Sequence, residues 1–100
     1  MDYQVVWTEL ALADLEAIIR RVAKDKPNAA EKLRLGLLGS VHVLGQFPFI
    51  GPVYERDRSG RTREILHGRY RIFYRVKEAE SRVEVLTIWH GGRQEPRLPK

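Results

Sequence analysis

The fold is decided by the stretch Arg61–Arg93, RTREILHGRYRIFYRVKEAESRVEVLTIWHGGR. Three segments of it, Thr62–Leu66, Tyr70–Val76 and Arg82–Trp89, are dense in valine, isoleucine and aromatic residues, which suit a pleated, half-buried surface. Between the first two lies Gly68, which lacks a Cβ and reaches positive φ at little cost. We therefore predict three short antiparallel strands joined by tight turns.

The same stretch is rich in basic side chains. Residues 61–100 hold ten Lys or Arg against five Asp or Glu, whereas residues 1–60 hold eight of each, so the net charge of +5 belongs to the C-terminal part. A localised basic surface is typical of proteins that bind a polyanion or an acidic protein partner. Guanidinium groups crowded on one sheet face repel one another unless an anion lies among them. The side chains concerned are Arg61, Arg63, Arg69, Arg71, Arg75, Arg82 and Arg93, together with His67 and His90.

The residues before this stretch predict a strand and two helices. Tyr3–Trp7 is a short apolar run suited to a strand, and Thr8 is a plausible N-cap. Apolar residues recur at helical spacing over Glu9–Ala23. A second helix is expected to begin at Pro27, which fits the first helical position, and to run to about Gln46. So short a connection makes the two helices an antiparallel hairpin that packs on one face of the sheet.

The expected fold class is therefore α+β in two layers: an N-terminal strand, an α-helical hairpin, then an antiparallel sheet of three further strands. We expect the N-terminal strand to join that sheet. The face of the sheet that the helices do not cover is expected to be open to solvent. Side chains alternate along the central strand YRIFYRV. This alternation assigns Ile72, Tyr74 and Val76 to the helix-covered face, and Arg71, Phe73 and Arg75 to the open face.

Two features outside the strands need an explanation. Gly36 and Gly39 lie inside the second helix, where each costs roughly 1 kcal/mol relative to alanine; close packing is the expected reason, and a hinge is the alternative. The segment from residue 47 to residue 60, FPFIGPVYERDRSG, is too long for a plain connector, and loops of this length are often functional. Its residues Phe47, Phe49 and Ile50 either cap the core or contribute to a partner surface.

Length and composition exclude several classes of protein. One hundred residues suffice for one domain, residues 1–100, with a single modest core. The sequence has no cysteine, which excludes disulfides and thiolate metal sites. Neither a long apolar run nor a signal peptide pattern is present, so a cytoplasmic protein without a membrane span is expected. No metal is predicted, because no Cys/His or paired Asp spacing suggests one, and no other cofactor is expected.

The order of motifs along the chain resembles the RelE/ParE superfamily of toxins from type II toxin–antitoxin systems. The resemblance covers about residues 3–93 and runs through VVWT, PNAA, FPFIGP, TREI, YRIFYRV and VEVLTIWHGGR. It implies a single RelE-like domain neutralised by a cognate antitoxin. We expect that antitoxin to be acidic and partly disordered, and to cover the helix hairpin, the basic sheet face and Phe47, Phe49 and Ile50.

The superfamily does not share one activity. RelE-like members cut mRNA in the ribosomal A site, whereas ParE-like members poison DNA gyrase. Arg71 matches the arginine of the RelE-like YR-x-x-Y motif, Arg93 matches a basic residue after the last strand, and His90 lies where some of these nucleases use a histidine. The lysine pair of the best-known RelE nucleases is absent, and no tyrosine follows Tyr74. Ribosome-dependent mRNA cleavage is the favoured function here; gyrase inhibition, or a degenerate toxin that only binds its antitoxin, is the alternative.

If the protein cleaves RNA without a metal, four residues are candidates for roles in the reaction. Arg71 and Arg93 would bind phosphate oxygens, His90 would be the acid or base, and Glu64 would be a base or would orient an arginine. Alternatively, Arg71 only holds a cross-strand carboxylate such as Glu84, and Glu64 is a structural partner of an arginine. The nuclease site requires Arg71 and His90 on one face of the sheet; opposite faces would favour the gyrase alternative. RNA phosphates and bases would be bound by Arg61, Arg63, Arg69, Phe73 and Arg75.

Overall fold

A computed structural model of the protein describes residues 2–91 as one strand, two helices and three further strands. This order confirms the predicted α+β class. None of the helices in these residues is long and apolar enough to cross a membrane. The elements are β1 (Gln4–Trp7), α1 (Glu9–Asp25), α2 (Pro27–His42), β2 (Thr62–His67), β3 (Tyr70–Lys77) and β4 (Arg82–His90), with 3-10 turns at Val43–Gly45 and Glu78–Glu80.

The four strands form one sheet in the order β1-β4-β3-β2. The three late strands are antiparallel as predicted, and β1 joins the same sheet by pairing with β4. That pair is parallel. A parallel pair needs a long crossover connection, and the helix hairpin together with β2 and β3 supplies it. The helix hairpin thereby lies on one face of the sheet.

Local sequence signals set the ends of the helices. Thr8 caps α1: its hydroxyl accepts a hydrogen bond from the Ala11 amide at 3.1 Å and donates one to the Leu86 carbonyl at 2.9 Å. Pro27 opens α2, as predicted. The predicted end of α2 near Gln46 is wrong, because the helix tightens into a 3-10 turn after His42. The Gly45 carbonyl at the end of that turn accepts the Tyr3 amide at 2.7 Å, which fixes the chain against β1.

The core lies between the hairpin and one face of the sheet. Ile72 and Tyr74 are fully buried on this face, as their alternation predicted. Burial raises the pKa of the Tyr74 phenol, so the group stays neutral, and its oxygen accepts the Gly51 amide at 2.9 Å. The main cluster of buried residues is Ala11, Leu15, Ile18, Ile19, Ala30, Leu37, Val41, Ile72, Val85 and Ile88.

The second face of the sheet is not open at its centre, which corrects the prediction. Phe73 is 0% exposed and Arg75 7% exposed. The cause is the segment from residue 47 to residue 60, which contains no helix and folds along the free edge of β2. Its Tyr54 amide donates to the Thr62 carbonyl at 2.8 Å, and Val53 forms a β-bridge with Arg63. The Tyr54 ring then packs edge to face on Phe73, with 4.9 Å between centroids.

The two glycines of α2 differ in their surroundings. A Cβ on Gly36 would lie 2.5 Å from Nε2 of His67, whereas one on Gly39 would meet nothing within 4 Å. The predicted close packing is therefore confirmed for Gly36 only. His67 Nδ1 and the Ser40 hydroxyl are hydrogen-bonded at 3.0 Å, so the His67 ring joins the end of β2 to α2.

Candidate functional site

Arg71 lies in a cage of one carboxylate and two aromatic rings. Its Nε donates to Glu64, and the two side chains are only 19% and 18% exposed. The guanidinium carbon lies 5.1 Å from the Phe73 ring centroid and 5.6 Å from that of Tyr54, distances typical of cation–π contacts. The Glu64 carboxylate thus compensates the charge of Arg71. The alternative that Arg71 holds a cross-strand carboxylate is confirmed, but the carboxylate is that of Glu64 on β2 and not that of Glu84. The structural role considered for Glu64 is thereby confirmed.

Three other cations of the sheet, Arg75, Lys77 and Arg82, are compensated in the same way. Carboxylates from the 47–60 segment, the β3–β4 turn and β4 itself lie beside them. For these paired cations the expectation that an external anion is needed is therefore wrong, because the chain supplies their counter-charges. The ion pairs are Arg75–Asp57 at 3.6 Å, Lys77–Glu84 at 3.9 Å, Arg82–Glu80 at 3.1 Å and Arg82–Glu84 at 3.2 Å.

Asp57 fixes the 47–60 segment to the sheet. It accepts hydrogen bonds from the Thr62 hydroxyl, the Ser59 amide at 3.0 Å and the Ser59 hydroxyl at 2.8 Å. These bonds, the one from Thr62 foremost, and the nearby charge of Arg75 lower the pKa of Asp57 to about 2. Arg75 Nε also donates to the Thr62 hydroxyl at 3.2 Å. Arg75 thus has a structural role, which corrects its assignment as a surface phosphate ligand.

His90 and Arg71 lie on opposite faces of the sheet. In the antiparallel pair of β3 and β4, His90 is opposite Tyr70 and Arg71 is opposite Trp89. Opposed residues project to the same face and successive residues alternate. His90 therefore faces the helix side with Tyr70, whose ring it contacts edge to face at 5.4 Å. The predicted convergence of Arg71 and His90 on one phosphate is wrong.

The remaining predicted residues fall into three separate clefts. A cleft of about 770 Å³ beside the β2–β3 turn contains Glu64, Arg69 and Arg71, with Ile50, Leu66 and Gly91 on its walls. A cleft of about 260 Å³ at the start of β2 contains Arg61, Arg63, Arg75 and Lys77, with Phe49 beside them. A cleft of about 430 Å³ near the α1–α2 turn contains His90 and Tyr70 with Arg21, Asp25 and Lys26.

Two further predicted residues belong to none of the clefts described, one because it is buried and one because it lies outside the described residues. Phe73, predicted to stack on a base, is fully buried beneath Tyr54 and is not available for stacking. Arg93 lies outside the described residues. Within residues 2–91, no three His, Asp or Glu side chains come together in a way that would hold a metal ion.

The predicted partner residues are exposed. Phe47, Phe49 and Ile50 have exposures of 53%, 46% and 60%, which excludes the alternative that they cap the core. Sequence reasoning missed two neighbours of this surface. Leu66 is 67% exposed on the edge strand, although its apolar type suggested burial. No sequence pattern indicated the role of Tyr54, because that role depends on how the 47–60 segment folds back over the sheet.

Three comparisons with known proteins agree on one family. A family model described as "ParE toxin of type II toxin-antitoxin system, parDE" matches residues 5–95. Protein Y4kP of Sinorhizobium fredii is 32% identical over an alignment that covers 95% of each chain. Among solved structures, the chromosomal ParDE toxin–antitoxin system of P. aeruginosa matches with a TM-score of 0.75 and 23% identity, over 88% of this chain and 95% of that one.

Two RelE structures share the fold at lower similarity. The RelBE2 toxin–antitoxin complex of Mycobacterium tuberculosis gives a TM-score of 0.62 and 24% identity over 90% of this chain and 99% of that one. The E. coli toxin RelE, solved as a double mutant in the free state, gives a TM-score of 0.59 and 21% identity over 90% of this chain and 84% of that one. At these identities the solved structures show the common fold.

Proposed function

Because the chain belongs to the ParE toxin family of type II toxin–antitoxin systems, we propose that it acts by binding DNA gyrase and not by cutting mRNA. The toxin class follows from the family. The choice of target is our proposal, and it reverses the preference for mRNA cleavage that the sequence motifs suggested.

One observation carries the choice: Arg71 and His90 lie on opposite faces of the sheet. Cleavage of RNA without a metal needs a positioned acid or base and a cation within reach of the same phosphate. Side chains separated by the thickness of the sheet do not reach one phosphate. The ion pair between Arg71 and Glu64 adds to this, because it already uses the charge that would stabilise the transition state.

The exposed apolar residues support a protein target. Leu10, Leu12, Leu35 and Leu38 on the helices are 52%, 47%, 61% and 38% exposed. Single exposed apolar residues are ordinary, but Leu35 and Leu38 lie three positions apart and are therefore neighbours on α2, which suits a contact surface. A toxin that inhibits by contact needs such a surface and needs no catalytic group.

Cleavage of mRNA remains the second candidate, and one cleft favours it. The 770 Å³ cleft places Arg69 and Arg71 beside Glu64, and Gly91 on its wall is two residues before Arg93. In this alternative Arg71 would leave Glu64 to bind a phosphate, and Glu64 would become the base. His90 would then have no role in the reaction.

The proposed partners and location follow from the family. Two of the similar structures belong to toxin–antitoxin systems, RelBE2 and the chromosomal ParDE, and we propose that this toxin is likewise neutralised by an antitoxin. Both candidate targets, gyrase and the translating ribosome, are cytoplasmic, so the toxin would act there. Co-expression with the adjacent small open reading frame is expected to relieve toxicity, and a protein harmless on its own would contradict the toxin function.

Purified toxin added to two reactions separates the candidates. We expect it to inhibit DNA supercoiling by gyrase and to leave transcripts on programmed ribosomes intact. Cut transcripts with normal supercoiling would reverse the choice. A preparation that affects neither reaction but binds the antitoxin would identify a degenerate toxin.

A further inference from the structure

We propose that the cleft at the start of β2 is the docking site for an acidic, apolar segment of the antitoxin. Carboxylates of that segment would pair with Arg61 and Arg63, and its apolar side chains would cover Phe47, Phe49 and Ile50. The inference rests on the proposed function only in taking an antitoxin as the partner; it is independent of whether gyrase or mRNA is the target.

The two arginines of this cleft differ from the other cations of the sheet. Arg61 is exposed, and its side chain forms no ion pair or hydrogen bond with residues 2–91. The Arg63 guanidinium donates to two neutral backbone carbonyls, those of Gly51 at 2.7 Å and Phe49 at 3.4 Å. No carboxylate of the described residues therefore compensates either charge. Arg71, Arg75 and Arg82 are paired internally, and Arg69 lies in a cleft that also contains Glu64, so the cleft at the start of β2 is where an acidic partner gains most.

The walls of the cleft add further positive charge. Lys77 is held only loosely by Glu84, at 3.9 Å with side chains 41% and 26% exposed. Arg75 lies in the wall but is already paired with Asp57. Glu78 is the one carboxylate among the residues that line the cleft. An entering carboxylate would thus meet an excess of cations at close range.

The geometry suits a side chain better than a nucleotide. The cleft has a volume of about 260 Å³, which accommodates a Glu or Asp side chain. Phe49 is the aromatic residue beside it, and the Arg63 guanidinium lies over its ring at 5.1 Å from the centroid. One face of the ring is therefore occupied and does not stack on a base. The contact also holds Arg63 in place, so its binding to a carboxylate costs less conformational entropy.

The cleft borders an apolar part of the chain, since Phe49 lines it and Phe47, Ile50 and Val53 lie within four residues of Phe49 in the sequence. Phe47, Phe49, Ile50 and Val53 are 53%, 46%, 60% and 43% exposed within seven consecutive residues. A nucleic acid backbone would leave these side chains in water. A segment that carries both carboxylates and apolar side chains, and that folds on binding, would satisfy both kinds of surface.

The test measures the affinity of the toxin for the purified antitoxin encoded beside it. Arg61→Ala/Arg63→Ala is compared with Arg20→Ala/Arg58→Ala, a control that removes the same charge from exposed arginines outside the cleft. We expect the first variant to bind about 30-fold more weakly or worse, with a smaller salt dependence, and the control to bind within about threefold of wild type. Because Arg61 has no partner among residues 2–91, Arg61→Ala alone lowers the affinity without disturbing the fold.

Equal affinities of the two double variants would overturn the proposal. A second outcome would also overturn it: loss of binding to a single-stranded RNA oligonucleotide with unchanged affinity for the antitoxin, which would make the cleft an RNA site. Neither outcome bears on gyrase inhibition, since that activity is measured without the antitoxin. The docking site and the proposed target are therefore tested separately.

Discussion

Gly36 and Gly39 lie three positions apart in α2 and give a prediction at the scale of single residues. Alanine at Gly39 meets nothing within 4 Å and should raise the free energy of unfolding by about 1 kcal/mol through helix propensity. Alanine at Gly36 would displace the His67 ring and its hydrogen bond to Ser40. We expect Gly36→Ala to be less stable than Gly39→Ala by about 1–2 kcal/mol in urea denaturation.

Replacing His67 tests whether its ring is the reason why alanine is unfavourable at position 36. In a His67→Ala background the obstacle is gone, so Gly36→Ala should become as stabilising as Gly39→Ala. An unchanged difference between the two alanine variants in that background would show that contact with His67 is not the reason for glycine at position 36.

The carboxylate of Asp57 gives a prediction about pH. Its pKa falls from 3.8 to about 2 on folding, so its stabilising effect is complete above about pH 4 and is lost as the pH falls toward 2. We expect Asp57→Asn to lower the free energy of unfolding by about 1 kcal/mol at pH 7, after allowance for solvent screening. The variant and wild type should converge near pH 2. A difference that is the same at pH 7 and pH 2.5 would contradict the role of the ionised group.

Residues that obey local rules were predictable from the sequence. Thr8 and Pro27 act through the first turn of a helix, and neither role depends on distant parts of the chain. The partner of Arg71 was not predictable: four carboxylates in residues 61–84 were available, and only the register of β2 and β3 selects Glu64. The exposure of Leu66 likewise depends on the edge position of β2.

The 47–60 segment is the element that decides which parts of the sheet are accessible. It carries Tyr54 onto Phe73 and Asp57 onto Arg75, so it converts a predicted open face into a covered one. Alternation along β3 was predicted correctly, because the extra residue of the β-bulge, Leu86, lies on β4. The covering was not predictable, because it depends on contacts between residues distant in the chain.

Gly51 gives the test at the scale of this element. A Cβ there would lie 2.5 Å from the Glu64 carbonyl oxygen, 2.8 Å from the Tyr74 hydroxyl and 2.9 Å from Ile65 Cγ2. The first obstacle is backbone, so the segment must move away from β2. Gly51→Ala should lower the free energy of unfolding by about 2–3 kcal/mol. It should also speed amide hydrogen exchange at Glu64, whose amide donates to the Pro52 carbonyl at 3.1 Å.

Gly39→Ala is the control for the general effect of replacing glycine. If Gly51→Ala matched it in stability and left exchange at Glu64 unchanged, the segment would not be held to β2 in the way described.

At the scale of the whole molecule, the positions of the carboxylates divide the cations of the sheet into two groups. Some are paired within the chain, and others are free to bind the carboxylates of another molecule. The charge excess of residues 61–100 was evident from the sequence, but its meaning was not. Arg71, Arg75 and Arg82 have carboxylate partners within the chain, whereas Arg61 and Arg63 in the cleft at the start of β2 pair with no carboxylate of residues 2–91. The motif YR-x-x-Y therefore predicted a fold and a family better than it predicted a catalytic site.

The central claim is that the toxin acts on gyrase without chemistry at Arg71. Its most direct test is the amount of gyrase trapped on cleaved DNA by wild-type toxin and by Glu64→Gln/Arg71→Gln, a pair that removes both charges and keeps a hydrogen-bonded side-chain pair. Circular dichroism would confirm that the variant folds. We expect equal trapping by the two proteins and no cut transcripts from either. Trapping by neither protein, with transcripts cut by wild type alone, would contradict the claim.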